Sequence, residues 1–233
     1  MAFDVYSGSF TRFYTRNWEN IAQRQARLDG TEYKMIYAGG DPAPPPPAQE
    51  IRDVVNEWRS AINEALAPHG LKDLDWSEAD DTEYFTDRPG WDGYAGLLLW
   101  AAYAERPNEE PPLELPESWA DDRVYQSVME DEQRMHFVTI LLASLWLPGD
   151  FDFCFKFPGL TNEELMIGSC RGLRDQLHEL EGKPLKWQKP DSLQNSRNAS
   201  VVTFEEAAKA GRACFYALAE KAAQNRLPLI LSF

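Results

Sequence analysis

Residues 151–181 read FDFCFKFPGLTNEELMIGSCRGLRDQLHELE, and this stretch places strand signals directly before a helix signal. Its first part has Phe at every second position from Phe151 to Phe157, a period of two that predicts a strand with one buried face. Residues 164–167 predict a neighbouring strand. We therefore expect a fold that contains β structure as well as helices.

Helices are predicted on both sides of these strands. Ser169 is a suitable N-cap for a helix over 170–181, and the capping box at 203–206 opens another helix that runs to about 225. Apolar residues within 49–67 recur at i, i+3, i+4 and i+7, which predicts an amphipathic helix, whereas 92–105 is apolar on every side and predicts a buried one. The other expected elements are helices at 18–28 and 121–146 and strands at 3–7, 32–37 and 227–233.

Together these elements predict an α+β fold, mostly helical with a small mixed or antiparallel sheet. The length of 233 residues fits a single domain over 1–233. A loose subdivision is expected near 38–48, where a proline-rich stretch forms a stiff spacer. Residues 71–91 and 107–119 have no clear period and are expected to form loops.

The sequence also indicates in which cellular compartment the protein is expected. The N-terminus lacks the basic and apolar regions of a signal peptide, and no apolar run has the length of a membrane span. Cys154, Cys170 and Cys214 are an odd number of widely spaced cysteines, which does not suit a disulfide framework. We expect a cytoplasmic protein with no membrane partner, and the sequence does not indicate an oligomeric state.

The negative charge is concentrated in the middle of the chain. Residues 71–132 contain 18 Asp and Glu against 4 Lys and Arg, a net charge of −14 out of −15 for the whole protein. We expect one acidic surface from this segment, either a solvated face or a docking surface for a basic protein. Because phosphate contacts require Lys and Arg, we expect no nucleic acid partner.

Aromatic residues lie among these carboxylates between 75 and 94. Interfaces favour Trp and Tyr, and carboxylates beside them suit Arg or Lys from a partner. The expected partner-binding residues are Trp76, Asp80, Asp81, Glu83, Tyr84, Trp91 and Asp92. The alternative is that Trp76, Phe85 and Trp91 hold an acidic loop against the core.

Catalytic and cofactor motifs are scarce. Gly168-Ser169-Cys170-Arg171-Gly172 has the form of a nucleophile elbow, which makes Cys170 a candidate nucleophile, but no His follows His178. The alternative is a small buried thiol beside a helix cap. No zinc or nucleotide motif occurs, and the calcium-loop pattern that begins at Asp73 lacks its required Gly and Glu. We expect no metal and no cofactor.

The opening residues Asp4-Val5-Tyr6-Ser7-Gly8-Ser9-Phe10-Thr11-Arg12-Phe13-Tyr14, followed by Trp18, resemble the start of an uncharacterised bacterial protein family. The resemblance covers about 20 residues and implies a bacterial cytosolic protein without implying an activity. An acidic α+β protein of this kind is also similar to toxin-immunity proteins, which neutralise basic bacterial toxins.

These observations predict an acidic cytosolic binding protein with a protein partner, such as an immunity-type inhibitor of a basic toxin or enzyme. The alternative is a hydrolytic enzyme that uses Cys170 or unidentified carboxylates. A third reading is a structural or oligomeric subunit. A pocket with converging polar groups would favour the enzyme, and a convex acidic face would favour the binding protein.

Overall fold

The computed structural model describes residues 3–33, 44–71, 73–131, 134–183 and 202–232. Within them the chain forms eight α-helices: α1 (Phe10–Tyr14), α2 (Ile21–Leu28), α3 (Ala48–Leu66), α4 (Gly90–Glu105), α5 (Arg123–Met129), α6 (Val138–Leu141), α7 (Cys170–Glu181) and α8 (Phe204–Asn225). The strands are β1 (Asp4–Ser7), β2 (Phe85–Asp87), β3 (Leu145–Leu147), β4 (Phe155–Pro158), β5 (Glu164–Ser169) and β6 (Leu229–Ser232). Short 3-10 helices lie at Ala67–His69 and Trp119–Asp121.

The six strands form one mixed sheet in the order β2-β1-β6-β3-β5-β4. β3 and β5 are parallel, and the other neighbouring strands are antiparallel. β1 and β6 pair along four residues, so the two ends of the described chain meet near the middle of the sheet. The expected α+β fold with a small mixed sheet is confirmed.

The sheet separates two layers of helices. In β3, Leu145 and Leu147 pack with α1 and α3, while Trp146, between them, packs with α4 and α8 on the opposite face. β6 shows the same alternation, because Leu229 and Leu231 join the α4 and α8 side and Ile230 joins the α3 side. Both faces of the central strands are therefore buried between helices.

Local capping signals explain the best predicted helices. α7 begins after Ser169, whose side chain accepts a hydrogen bond from the Gly172 N–H at 2.8 Å, and the predicted bounds are those observed. α8 begins after Thr203 with a complete capping box, as predicted. α2 begins three residues later than expected, because Asn20 forms the capping box with Gln23.

The prediction of one long helix over 121–146 is wrong. Asp122 caps only the short α5, α6 has four residues, and the segment ends in the buried strand β3. A continuous apolar run is equally compatible with a buried helix and with a strand buried on both faces, so its periodicity did not distinguish the two.

The expected strand over Phe151–Phe157 is shorter than predicted. Only the second half belongs to β4, while the four Phe rings form a chain of contacts with centroids 5.2 to 6.5 Å apart. They face the α3 layer, and Asp152 and Lys156 are exposed. The four Phe side chains therefore share one face, as predicted, but only residues 155–158 pair with a neighbouring strand.

Two further expectations concern residues 32–91. The strand expected at 32–37 lies mostly outside the described residues, as does most of the subdivision expected near 38–48. The loop expected at 71–91 contains strand β2, which pairs with β1. Among the described residues, no helix combines the length and the apolar character needed to cross a bilayer.

Candidate protein-binding surface

The exposed face of α3 carries a row of carboxylates. Glu50, Asp53, Glu57 and Glu64 are all exposed, and the helical repeat of 3.6 residues per turn places them within about 60° of each other around the axis. They lie opposite the buried face of the helix, which contains Val55, Trp58 and Ile62. We call these four acidic residues the α3 stripe.

The carboxylates of the α3 stripe are electrostatically unpaired. None of the four has an ion pair within the described chain, and Asp53 accepts one hydrogen bond from the Gln49 amide at 2.8 Å. With a rise of 1.5 Å per residue, the stripe extends along roughly 21 Å of the helix. The protein therefore presents four uncompensated charges in a line on a rigid element.

The chain after α3 returns along one flank of this helix. Residues 74–80 run antiparallel to α3 and are fixed to it by side chains of the helix. The contacts are Asn63 with the Leu74 backbone (2.7 and 3.0 Å), Arg59 with the Trp76 carbonyl (2.7 Å) and Arg52 with the Glu78 carbonyl (3.2 Å). An otherwise irregular segment is thereby held in a defined position beside α3, about 130° around the helix axis from the α3 stripe.

This returning segment adds further negative charge. Asp75 and Asp80 form ion pairs with Arg59 and Arg52 at 2.8 and 2.7 Å. Three other carboxylates, which we call the loop acids, are exposed and have no ion pair in the described part of the chain: Asp73, Asp81 and Glu83. The α3 stripe, on the helix, and the loop acids, on the segment that follows it, are the candidate partner-binding residues.

Glu78 lies in the same segment but has a structural role. It is 7% exposed, and its carboxylate accepts hydrogen bonds from the backbone N–H groups of Phe10 and Thr11 at 3.1 and 2.7 Å and from the Trp76 indole at 2.6 Å. It thus joins the start of α1 to the acidic segment and contributes no charge to the surface.

Trp76 and Tyr84, both expected to contact a partner, are turned inward. Trp76 is only 4% exposed and packs against Phe10 and Trp58. Tyr84 is half-buried, and its hydroxyl accepts a hydrogen bond from the Glu19 N–H at 3.2 Å. Trp76 therefore holds the acidic segment to the core, as the alternative reading of the sequence proposed for it.

Trp91 and Asp92 belong to the other side of the molecule. They lie in the first turn of α4, where the Trp91 ring packs 5.2 Å from Phe3 and remains 43% exposed. Phe3 and α4 belong to the layer opposite α3. The structure thus fixes Asp80 to α3 through Arg52, with Asp81 and Glu83 following in the chain, and separates these residues from Trp91 and Asp92.

The acidic segment 71–132 consequently does not form one surface. Its second half packs with α4 and α5, on the far side of the sheet from α3. There Glu109 pairs with Arg123 and Asp131 with Arg106. Four exposed carboxylates on that side have no ion pair among the described residues, and we call them the distal acids: Glu114, Glu117, Asp121 and Glu130.

Cys170 occupies a buried position at the start of α7. Its side chain is 0% exposed, and its Sγ lies 3.3 Å from both the Trp146 and the Leu227 carbonyl oxygens. Burial raises the pKa of the Cys170 thiol because a thiolate would lose its hydration there. In the described part of the chain, no group of three or more His, Cys, Asp or Glu is arranged to hold a metal ion.

A comparison with protein families gave one match. A family model described as "Putative DNA-mimic protein" matches residues 46–229, which includes the acidic segment and every element from α3 to α8. No match was found among curated proteins or solved structures. The match indicates an acidic protein of a protein-binding type.

The match also corrects the expectation of no involvement of nucleic acid, because the family description relates its members to DNA through mimicry, whereas the basic protein partner stays a prediction. The lack of excess Lys and Arg still argues against direct contact with phosphates. Because the model covers well over half of the 233 residues, the chain belongs to the family described as "Putative DNA-mimic protein".

Proposed function

We propose that this protein is a DNA mimic that occupies the DNA-contacting surface of a DNA-binding protein through the α3 stripe and the loop acids. The observation that carries the proposal is the row of exposed, unpaired carboxylates on α3, which lies within the region matched by the family model. A carboxylate can accept the same hydrogen bonds from Arg and Lys that a phosphate oxygen accepts.

The spacing of the stripe supports this proposal. One DNA strand carries about one phosphate per 3.4 Å of helix axis. The α3 stripe has four charges over roughly 21 Å, and the loop acids add three charges on the segment that follows α3. The surface is less densely charged than DNA, so we expect it to engage part of a phosphate-binding track rather than to reproduce a full duplex.

The pairing of neighbouring charges supports the same surface. Arg52 and Arg59 point along the flank of α3, where each is held by a carboxylate and a backbone carbonyl of the returning segment. Their charges are therefore neutralised away from the α3 stripe. Glu57, midway along the stripe, has no cation bound to it within the described residues and is available to a partner.

The test is a capture experiment with three forms of the protein. Immobilised wild type is compared with the stripe variant E50Q/D53N/E57Q/E64Q and with the matched control E114Q/E117Q/D121N/E130Q, which loses the same charge from the distal acids. We expect wild type and control to retain a protein from host lysate that excess double-stranded DNA displaces. We expect the stripe variant to retain at least tenfold less of it.

Two outcomes would contradict the proposal. One is that no retained protein is displaced by DNA. The other is that the stripe variant and the control retain it equally, which would show that total charge rather than the α3 stripe determines binding.

An immunity-type role is a special case of this proposal, in which the DNA-binding partner is a toxic nuclease. Inhibition would then follow from occupation of the nuclease's DNA channel, because substrate and mimic need the same cationic side chains. We expect the purified partner to lose DNA cleavage when wild type is added in equimolar amount and to keep it with the stripe variant. Cleavage that continues in the complex would exclude this special case.

A further inference from the structure

Three arginines converge on an open cleft at the carboxyl ends of the inner strands β3 and β5. Arg171 and Arg174 lie in the first turns of α7, three residues apart and so on the same side of the helix, and Arg226 directly follows α8. The cleft has a volume of about 400 Å³ and is on the side of α7 and α8, opposite α3. This concentration of positive charge is unexpected in a protein with a net charge of −15.

The topology of the sheet creates the cleft. β3 and β5 are the parallel neighbours of the described sheet, and Leu147 pairs with Ser169 where both strands end. The chain leaves β3 through Pro148 and Gly149 and leaves β5 into α7, so a crevice opens between the two connections. The carboxyl ends of parallel strands, next to a helix N-terminus, are a common place for anionic ligands in α/β sheets.

The charges in the cleft are only partly compensated. Asp150 pairs with Arg171 at 2.5 Å, and Asp175 pairs with Arg174 at 2.6 Å. Arg226 has no ion pair within the described residues and is exposed. The side chains at the cleft therefore leave about one positive charge, to which the α7 N-terminus adds the positive end of its dipole.

Apart from the arginines and Asp150, the residues that line the cleft are uncharged. Pro148, Gly149 and Ala223 line the cleft beside the arginines. A volume near 400 Å³ lies within the range of small-molecule sites, roughly 300–1,000 Å³, and exceeds what a single anion needs. The geometry points to a ligand with a charged group for the arginines and an organic part for the neutral wall.

We propose that this cleft binds a dianionic phosphate group, held by Arg174 and Arg226 at the N-terminus of α7. The phosphate comes either from a phosphate monoester of nucleotide size or from free inorganic phosphate. This site is separate from the α3 stripe and does not depend on the DNA-mimic proposal.

Calorimetric titration in a phosphate-free buffer at low salt tests this site. The probes are AMP as a phosphate monoester, adenosine as the same molecule without phosphate, and inorganic phosphate. Wild type is compared with R174Q/R226Q and with the matched control R24Q/R134Q, in which two exposed arginines outside the cleft lose the same charge. Circular dichroism melting of each variant checks that the fold is kept.

We expect AMP to bind wild type and the control and to bind R174Q/R226Q at least tenfold more weakly, because each lost charge-assisted hydrogen bond corresponds to roughly a tenfold change or more. Adenosine is expected not to bind. Tighter binding of AMP than of inorganic phosphate identifies the monoester as the ligand, and equal binding identifies free phosphate. Absence of binding by both phosphates at millimolar concentration, or equal affinity for R174Q/R226Q and the control, overturns the proposal.

Discussion

At the scale of single residues, carboxylates of the same acidic segment have opposite roles. Glu78 is buried and accepts three hydrogen bonds, whereas Asp81 and Glu83, a few residues later, are exposed and unpaired. The sequence does not distinguish the buried carboxylate from the exposed ones, because only the folded chain brings backbone N–H groups to the Glu78 side chain. The buried carboxylate stabilises the fold, and the exposed ones are free for a partner.

The substitution Glu78→Gln should lower the free energy of unfolding by about 1.5–3 kcal/mol, because hydrogen bonds to a charged acceptor are lost and the new amide NH2 group faces either the Thr11 N–H or the N–H groups of Phe10 and Trp76. Glu83→Gln is the matched control and should change it by less than about 0.5 kcal/mol. Urea titration followed by tryptophan fluorescence measures both. Equal effects of the two substitutions would argue against a structural role for Glu78.

The cysteines provide a second test at this scale. Burial raises the pKa of Cys154 to about 11 and also raises the pKa values of the Cys170 and Cys214 thiols. A thiol reagent at pH 8 should therefore label native protein slowly, while all three cysteines react at once in urea. Rapid labelling of native Cys170 would instead support a reactive nucleophile at the start of α7.

At the scale of elements, α3 combines a buried face with the α3 stripe. Glu50, Asp53 and Glu57 follow one another at i+3 and i+4, spacings at which like charges repel. These carboxylates form no ion pair within the described residues, and an arrangement that costs helix stability in this way is expected where the charges serve a partner.

The stripe variant E50Q/D53N/E57Q/E64Q should therefore fold normally. Relief of two like-charge pairs, about 0.2–0.5 kcal/mol each, offsets the favourable position of Glu50 in the first helical turn. We expect a free energy of unfolding within about 0.5 kcal/mol of wild type in urea titration. If the free energy of unfolding falls by more than about 1 kcal/mol, these residues stabilise α3, and a binding defect of the variant would then be explained by lost stability rather than by lost contacts.

The contact between α4 and α8 depends on small residues. A Cβ atom at Gly96 would lie 2.6 Å from the Ala208 nitrogen and 2.7 Å from the Ala207 carbonyl carbon. Gly→Ala normally stabilises a helix interior by about 0.5–1 kcal/mol, but Gly96→Ala should destabilise the protein by about 1–3 kcal/mol through overpacking. Thermal unfolding measures the sign of the change in stability. Gly182→Ala is the control with little effect, because a Cβ atom there would lie 3.4 Å from the Glu179 carbonyl oxygen.

The elements that could be predicted from the sequence are those with local signals. Ser169 and Thr203 cap their own helices, and the apolar period of α3 is contained in the helix itself. The strand β3 could not be recognised, because Leu145, Trp146 and Leu147 are buried by helices from both sides and show no alternation. Such a strand is defined by distant parts of the chain.

At the scale of the whole molecule, the sheet determines which charges act together. It separates the distal acids from the loop acids, although both groups belong to the segment 71–132 that carries −14. The α3 stripe was overlooked because arginines such as Arg52 and Arg59 reduce the net charge of residues 1–70 to −2. A spacing of 3, 4 and 7 residues between the acids was the signal that could have revealed it.

The most direct test of the DNA-mimic account is whether partner, DNA and this protein form a ternary complex. The captured partner is bound to fluorescently labelled double-stranded DNA, and wild type is titrated in while fluorescence anisotropy and size-exclusion chromatography are followed. The account predicts that DNA is released completely as a partner–mimic complex forms, that the control E114Q/E117Q/D121N/E130Q behaves like wild type, and that the stripe variant fails to release DNA. A stable complex that contains all three components would contradict it.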